Sequence, residues 1–131
     1  MIITLCSSTT FYPQLRTLEE RLISYGHSVL LPSMVDYHSL EETALAKIQN
    51  GLIRDHFKKI EQSDAILVAN YQKKGIEGYI GGNTFLEMGK AFDCRIPIYL
   101  VCPIPREIGY REEILAMEPI VVGEDLRLLK R

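Results

Sequence analysis

The chain has 131 residues, a formal net charge of −2 and an isoelectric point near 5.9. The length predicts a single domain, residues 1–131. The charge argues against broad electrostatic binding to nucleic acid. With 47% hydrophobic and 24% charged residues, its composition is that of a globular protein rather than a disordered one. It lacks both an apolar run near the ~20 residues of a membrane span and the basic region of a secretory signal, so we expect a cytoplasmic protein that binds small molecules.

The first predicted unit is a strand followed by a helix. Residues 1–6 form a short apolar run that predicts a strand, and residues 7–10 make a hydroxyl-rich turn that can begin a helix. Pro13 fits the first helical turn, and Gly26 is a stop signal. Hydrophobic residues recur between them at helical spacing, so we expect strand, turn and helix in this order.

The second predicted unit begins with a buried strand at residues 28–31, which ends before a proline. A loop over residues 32–39 follows and could overhang a pocket. Residues 39–42 have the Ser-x-x-Glu form of a capping box. They predict the start of a helix that runs to about Ile60, with a break near Gly51.

The remaining three strands and two helices are predicted within residues 64–122. Residues 64–70 give the clearest strand, because they are apolar almost throughout, as strands covered on both faces are. A polar, glycine-bearing loop and a helix over residues 83–93 lead to another strand at residues 96–102. A short helix at residues 110–117 and a fifth strand at residues 119–122 follow.

This alternation of strands and helices predicts an α/β fold with three layers and a five-stranded, mostly parallel sheet. In open sheets of this kind, ligands bind outside the carboxyl ends of the strands, where the winding direction reverses. We therefore expect the functional pocket among the turns that follow the strands, above all around residues 79–87.

The strongest candidate for chemistry is Glu87, which we place in the first turn of a helix that follows Gly81, Gly82 and Asn83. Paired glycines allow positive φ and a close approach of backbone to ligand, while a helix start supplies free amides. The carboxylate would oppose a phosphate and favour a ribosyl ring or a developing carbocation. Residues 84–87 also match a Thr-x-x-Glu capping box, in which the carboxylate merely folds back onto a backbone amide.

Polar residues near the other strand ends are further candidates. The hydroxyl-rich turn suits a phosphate or a sugar hydroxyl, and helix capping explains it equally well. Asp55 and His56 lie about two turns before the central strand, where one of them could face the crevice; solvated surface is the alternative. Lys73 and Lys74 are interpreted as part of a solvated loop. The predicted substrate-binding residues are Cys6, Ser7, Ser8, Thr9, Phe11, Asn70, Tyr79, Gly81, Gly82 and Asn83.

The cysteines and histidines do not predict a metal site. Cys6, Cys94 and Cys102 contain no CxxC pair, and the three histidines lack the spacing of zinc ligands. We expect reduced, mostly buried thiols and no metal.

The order of hydroxyl-rich turn, apolar central strand, glycine loop and Glu-x-Gly-x-Ala at Glu87, Gly89 and Ala91 resembles the nucleoside 2-deoxyribosyltransferase family and its nucleotide N-hydrolase relatives. The resemblance covers about residues 2–104. It implies a Rossmann-like or flavodoxin-like fold, a homodimer or higher homo-oligomer, no cofactor, and cleavage of the N-glycosidic bond of a nucleoside or nucleotide.

The resemblance further implies that Glu87 attacks the anomeric carbon and holds a glycosyl-enzyme intermediate, as in retaining glycosidases. Two positions depart from the family pattern. His56, with Asp55 beside it, stands where the family often has an aspartate, and Gly81 replaces an acid near the departing base. His56 could supply the missing general acid. A catalytically silent nucleotide-binding sensor is the alternative, and a cytokinin-activating phosphoribohydrolase is a third, because those enzymes have a similar glycine-rich turn.

Overall fold

The computed structural model describes residues 1–34 and 41–129, which contain five strands and four α-helices. The strand and helix predictions are confirmed in type and order, and most elements are shorter than predicted. In chain order the elements are β1 (Ile2–Cys6), α1 (Tyr12–Ser24), β2 (Ser28–Leu30), α2 (Glu42–Glu61), β3 (Ala65–Val68), α3 (Gly82–Asp93), β4 (Ile98–Leu100), α4 (Arg111–Ala116) and β5 (Ile120–Val121).

The five strands form one sheet in the order β2-β1-β3-β4-β5, and every neighbouring pair is parallel. The predicted fold class is therefore confirmed, with the flavodoxin-like strand order. The chain winds from β1 to β2 in one direction and from β3 to β5 in the other, so the winding reverses between β1 and β3. Cys6 is the register partner of Val68 at the carboxyl end of this pair.

One face of the sheet is covered by α1. Leu15, Leu18 and Leu22 of this helix pack against Ile3 and Leu5 of β1 in a core cluster that also includes residues of the C-terminal segment. These side chains are all buried, and every member of the cluster is hydrophobic. The helically spaced leucines of α1 and the alternate side chains of β1 therefore form one apolar layer.

The opposite face is covered by α2, α3 and α4, whose residues Ile60, Met88 and Ile114 belong to a second core cluster. The alternate side chains of β1, Thr4 and Cys6, are both fully buried. Their polar contacts run toward α2, because the Thr4 hydroxyl lies 2.6 Å from the Ser63 hydroxyl and the Cys6 thiol contacts His56. Two helical layers enclose the sheet, as the three-layer prediction requires.

Three local predictions need correction. β2 is a half-exposed edge strand rather than a buried one, since within the described part of the chain it pairs with β1 alone. Helix α2 begins at Glu42, after the N-cap Glu41, and continues through Gly51 without the predicted break. Ser39, the predicted cap, lies outside the described residues, as does most of the loop expected to overhang a pocket.

None of the helices within residues 1–34 and 41–129 is both long enough and apolar enough to cross a bilayer. The 20-residue helix α2 is amphipathic, with charged residues throughout its length.

Candidate active site

A pocket of about 290 Å³ opens at the carboxyl ends of β1 and β3, where the winding of the sheet reverses. This volume lies near the lower end of the range for small-molecule sites. The pocket is lined by Ser7, Ser8, Thr9, Pro32, Ser33, Gln49, Leu52, Ile53, His56, Phe57, Lys73, Tyr79, Gly81, Gly82, Asn83, Thr84 and Glu87.

Glu87 lies in the wall of this pocket, on α3. The helix begins at Gly82 with Gly81 as its N-cap and no side-chain cap, so Glu87 is the sixth helical residue and lies in the second turn. Both the predicted first-turn position and the Thr84–Glu87 capping box are therefore wrong. The Glu87 side chain is only 12% exposed, and it projects from the helix toward β1 and α2.

Glu87 meets two other buried side chains, one from each neighbouring element. Its Oε2 lies 3.3 Å from Nε2 of His56 on α2. The same Nε2 lies 3.5 Å from Sγ of Cys6, the last residue of β1. The three ligand-type atoms all lie within 4.8 Å of one another. A carboxyl, an imidazole and a thiol therefore converge at the base of the pocket.

Burial controls the protonation of this cluster. It raises the pKa of Glu87 to about 8, with the Cys6 thiol opposing the shift by a hydrogen bond. Burial, followed by the positive charge of Lys59, lowers the pKa of His56 to about 4. It also raises the pKa of the Cys6 thiol, and Glu87 adds to that rise. Near neutral pH, Glu87 and His56 together thus hold one proton and no net charge.

The hydroxyl-rich turn lines the same pocket and begins directly after Cys6. Ser7 Oγ donates a hydrogen bond of 2.7 Å to the Ala69 carbonyl, which ties the end of β1 to the end of β3. Ser8 Oγ accepts a hydrogen bond of 2.7 Å from Lys73 Nζ, and Thr9 also lines the pocket. This rim therefore offers hydroxyls and one cation, a suitable environment for an anion.

The glycine loop differs from its prediction. Gly81 has φ near −77° and Gly82 is helical, so neither needs the positive φ expected of them. That requirement belongs to Gly78, where φ is +70° and a Cβ would lie 2.4 Å from the Pro103 carbonyl oxygen. The Tyr110 hydroxyl donates to the Ile80 carbonyl and anchors the loop from the other side. Gly81, Gly82 and Asn83 do line the pocket beside Tyr79.

Four predicted site residues lie outside the pocket lining. The Asp55 side chain is half exposed and contacts Ser33 and Lys59. Phe11 packs edge-on against the Tyr71 ring. Asn70 is buried, and its amide bonds to the backbone of residues 78, 102 and 103. Asn70 thus joins β3, β4 and the glycine loop. Cys6 also does not line the pocket, and reaches it only through His56 and Glu87.

Sequence reasoning missed two parts of the lining. Lys73, interpreted as solvated, turns toward Ser8 and lies 5.9 Å from the centre of the Tyr79 ring. Gln49, Leu52 and Ile53 form one stripe of α2 together with His56. The i, i+3, i+4, i+7 spacing of that stripe is visible in the sequence. It predicts a shared face, but not that the face lines a pocket.

A second cavity, of about 540 Å³, lies between the glycine loop and residues 102–107. It is larger than the first. Among the described residues that line it, no side chain is both ionisable and buried, because Glu77, Arg106 and Glu107 are exposed and Cys102 is half-buried. The clustered buried groups that could support catalysis therefore lie in the smaller pocket.

No protein-family model and no curated protein matches the chain. Solved structures do match. A 2-deoxyribosyltransferase from Bacillus psychrosaccharolyticus is 18% identical, with a TM-score of 0.57 over 76% of this chain and 71% of that one. A conserved protein from Enterococcus faecalis V583 is 13% identical, with a TM-score of 0.55 over 94% of this chain and 91% of that one.

A third solved structure is the CMP N-glycosidase BcmB from Clostridium botulinum. It is 14% identical, with a TM-score of 0.50 over 92% of this chain and 85% of that one. At such low identity the shared property is the fold. The chain therefore has the α/β fold that a nucleoside-processing transferase and an N-glycosidase also have, as the resemblance in its sequence predicted.

Proposed function

We propose that this protein is an enzyme that breaks the N-glycosidic bond of a nucleoside or nucleoside 5′-monophosphate, with Glu87 as the nucleophile. The observation that carries the proposal is the buried Glu87 carboxyl in a small pocket, 3.3 Å from His56. The fold shared with a 2-deoxyribosyltransferase and a CMP N-glycosidase supports it.

The chemistry begins with the proton that Glu87 and His56 hold together. A protonated carboxyl is a poor nucleophile, so Glu87 first transfers its proton to Nε2 of His56 across the 3.3 Å contact. The resulting carboxylate and imidazolium form an ion pair that stays neutral as a whole. His56 thereby replaces the acid that the family carries in the glycine loop and this chain lacks at Gly81.

Bond cleavage then balances without a cofactor. A carboxylate oxygen of Glu87 attacks the anomeric carbon through an oxocarbenium-like transition state, and the bond from that carbon to the base breaks. The departing base takes the electron pair and receives the proton held by His56. Water next attacks the anomeric carbon, releases Glu87, and returns one proton to the pair. In a transferase, a second base would take the place of water.

The rim of the pocket favours a 5′-monophosphate. Lys73 and Ser8 present an ammonium group and a hydroxyl that already lie 2.7 Å apart, and Ser7 and Thr9 add further hydroxyls. A phosphate would exchange the Lys73–Ser8 contact for charge-assisted hydrogen bonds. Because the rim and Glu87 line the same pocket, a phosphate held at the rim would keep the sugar near the nucleophile. Hydrolysis of a nucleotide is accordingly favoured over transfer.

The decisive experiment measures release of free base by chromatography from a panel of nucleosides and 5′-monophosphates. We expect Glu87→Gln to lose on the order of 10³-fold or more in rate, because the amide cannot form the glycosyl ester. Glu77→Gln is the matched control, since Glu77 is an exposed acid outside this pocket, and it should retain full activity.

Equal rates for wild type and Glu87→Gln would refute the nucleophile. No release from any substrate, together with thermal stabilisation by a nucleotide, would favour the non-catalytic sensor. That alternative has its own support. A Glu87 carboxyl with a pKa of about 8 is protonated at neutral pH, and a protonated carboxyl is a poor nucleophile. Assembly into a homodimer or higher homo-oligomer stays a prediction from the family resemblance.

A second experiment tests the phosphate. We expect Lys73→Ala to raise KM for the preferred 5′-monophosphate roughly tenfold or more, the value of one charge-assisted hydrogen bond, and to leave KM for the nucleoside almost unchanged. Lys74→Ala is the control, because Lys74 lies equally near the Tyr79 ring but does not line the pocket. An equal effect of Lys73→Ala on nucleoside and nucleotide would contradict phosphate binding at this rim.

A further inference from the structure

The cluster at the base of the pocket has the donor set of a metal site. We propose that Cys6, His56 and Glu87 bind one Zn²⁺ ion, with a fourth coordination position open to the pocket. The three residues come from β1, α2 and α3. Their separation in the chain is why the spacing of cysteines and histidines predicted no metal.

The distances agree with tetrahedral coordination. Zinc ligand bonds of about 2.3 Å to sulfur and about 2.0–2.1 Å to nitrogen or oxygen place adjacent ligand atoms roughly 3.3–3.6 Å apart. The structure has 3.5 Å between Cys6 Sγ and His56 Nε2, and 3.3 Å between His56 Nε2 and Glu87 Oε2. The remaining pair, the Cys6 sulfur and a Glu87 oxygen, lies within 4.8 Å, so all three side chains can reach one ion.

Hydrogen bonding alone leaves the cluster incompletely satisfied. A neutral imidazole has one in-plane hydrogen or one lone pair at Nε2, yet this atom faces both the Cys6 thiol and the Glu87 carboxyl. Among the described residues, the buried Oε2 of Glu87 has no hydrogen bond of good geometry. A cation between the three atoms would satisfy all of them at once.

Charge and ligand type select the ion. A thiolate, a carboxylate and a neutral imidazole together carry two negative charges, which balance a divalent cation in a buried site. Thiolate and imidazole suit zinc and disfavour magnesium and calcium, which prefer oxygen ligands. The pocket provides access, because His56 and Glu87 line it.

Zinc bound here would inhibit the proposed enzyme. The ion would bind the Glu87 carboxylate that must attack the sugar and the Nε2 atom of His56 that must carry the proton. This consequence rests on the proposed function, whereas the zinc site itself does not.

The test uses full-length protein freed of metal by dialysis against a chelator. Titration with Co²⁺ should give a thiolate-to-cobalt absorption band that saturates at one equivalent, and Zn²⁺ should abolish it. We expect Cys6→Ser to remove the band, and both Cys6→Ser and Glu87→Gln to weaken zinc binding in calorimetry by more than roughly 100-fold. Cys94→Ser is the control, since Cys94 lies outside the cluster, and it should bind zinc like wild type.

Absence of one-equivalent binding at micromolar zinc would overturn the proposal, and so would equal affinity in wild type and Glu87→Gln. The second variant keeps the test valid if Cys6→Ser fails to fold. Base release is then measured with and without zinc. Release by metal-free protein that binds no zinc would refute this inference alone, while zinc binding by a protein that never releases base would refute only the proposed enzyme.

Discussion

The two faces of the sheet differ in what they bury. Beneath α1, the leucines of the helix pack against Ile3 and Leu5 of β1. Beneath α2 and α3, the buried side chains include Thr4, His56, Ser63 and Thr84, with Glu87 nearly buried beside them. One strand supplies both environments, because alternate residues of β1 point to opposite faces.

This difference assigns separate roles to the two faces, with apolar packing beneath α1 and buried ionisable groups beneath α2 and α3. Apolar burial stabilises the fold by roughly 25 cal/mol for each Å² removed from water, and the leucines of α1 contribute to stability in this way. Burial of an ionisable group costs free energy unless the group is neutral or paired. The α2–α3 face limits that cost because burial shifts the pKa values of Glu87 and His56 so that both side chains are neutral near pH 7. Substitutions on the two faces should therefore have different signatures.

The larger expected effect concerns the α1 face. Leu22 is fully buried in the apolar cluster, so we expect Leu22→Ala to lower the free energy of unfolding by about 2–5 kcal/mol. Urea denaturation should show this loss equally at pH 6.5 and pH 8, because Leu22 packs on the face of the sheet opposite Glu87 and His56. The folded variant should release base at the wild-type rate. A pH-dependent loss, or a slower folded enzyme, would show that the two faces are coupled.

The smaller expected effect is a pH dependence that originates on the α2–α3 face. Glu87 has a folded pKa of about 8 against an ordinary 4.5, so its contribution to stability falls as pH rises between these values. His56 has a folded pKa of about 4 against 6.5, so its contribution rises between 4 and 6.5. The two slopes oppose each other up to pH 6.5, and a net fall remains from 6.5 to 8.

One proton corresponds to about 1.4 kcal/mol per pH unit, so metal-free protein should lose at most ~2 kcal/mol across that window. Urea denaturation at half-unit steps of pH measures the loss. Glu87→Gln should abolish the fall while Glu77→Gln retains it. A wild-type stability that is flat or rising from pH 6.5 to 8 would mean that Glu87 is already ionised in the folded protein.

Most of the fold was predictable because hydrophobic pattern determines element type. The all-apolar run at β3 marked the central strand, and Gly26 marked the end of α1. Boundaries were less predictable. Gly51 does not break α2, because the helix interior tolerates a glycine on an exposed position, at a cost of about 1 kcal/mol. β2 was predicted as buried because composition does not reveal which strand lies at a sheet edge.

The candidate site was predictable only in part. Glu87 and the glycine loop carried a local signal, whereas the contact of Glu87 with Cys6 depends on how three elements pack. Asp55 and His56 were indistinguishable in the sequence, yet adjacent helical residues point about 100° apart. As a result His56 is buried in the pocket wall, and Asp55 is half exposed beside Lys59.

The stripe of α2 that lines the pocket has a consequence for how ligand preference could change. Gln49, Leu52 and Ile53 contribute side chains to the wall without belonging to either core cluster. Replacements at these three positions would reshape the pocket beside Glu87, and would leave the sheet and the His56–Glu87 pair in place. In the proposed enzyme, evolution or directed selection could therefore alter the accepted base along a single helical face, separately from catalysis.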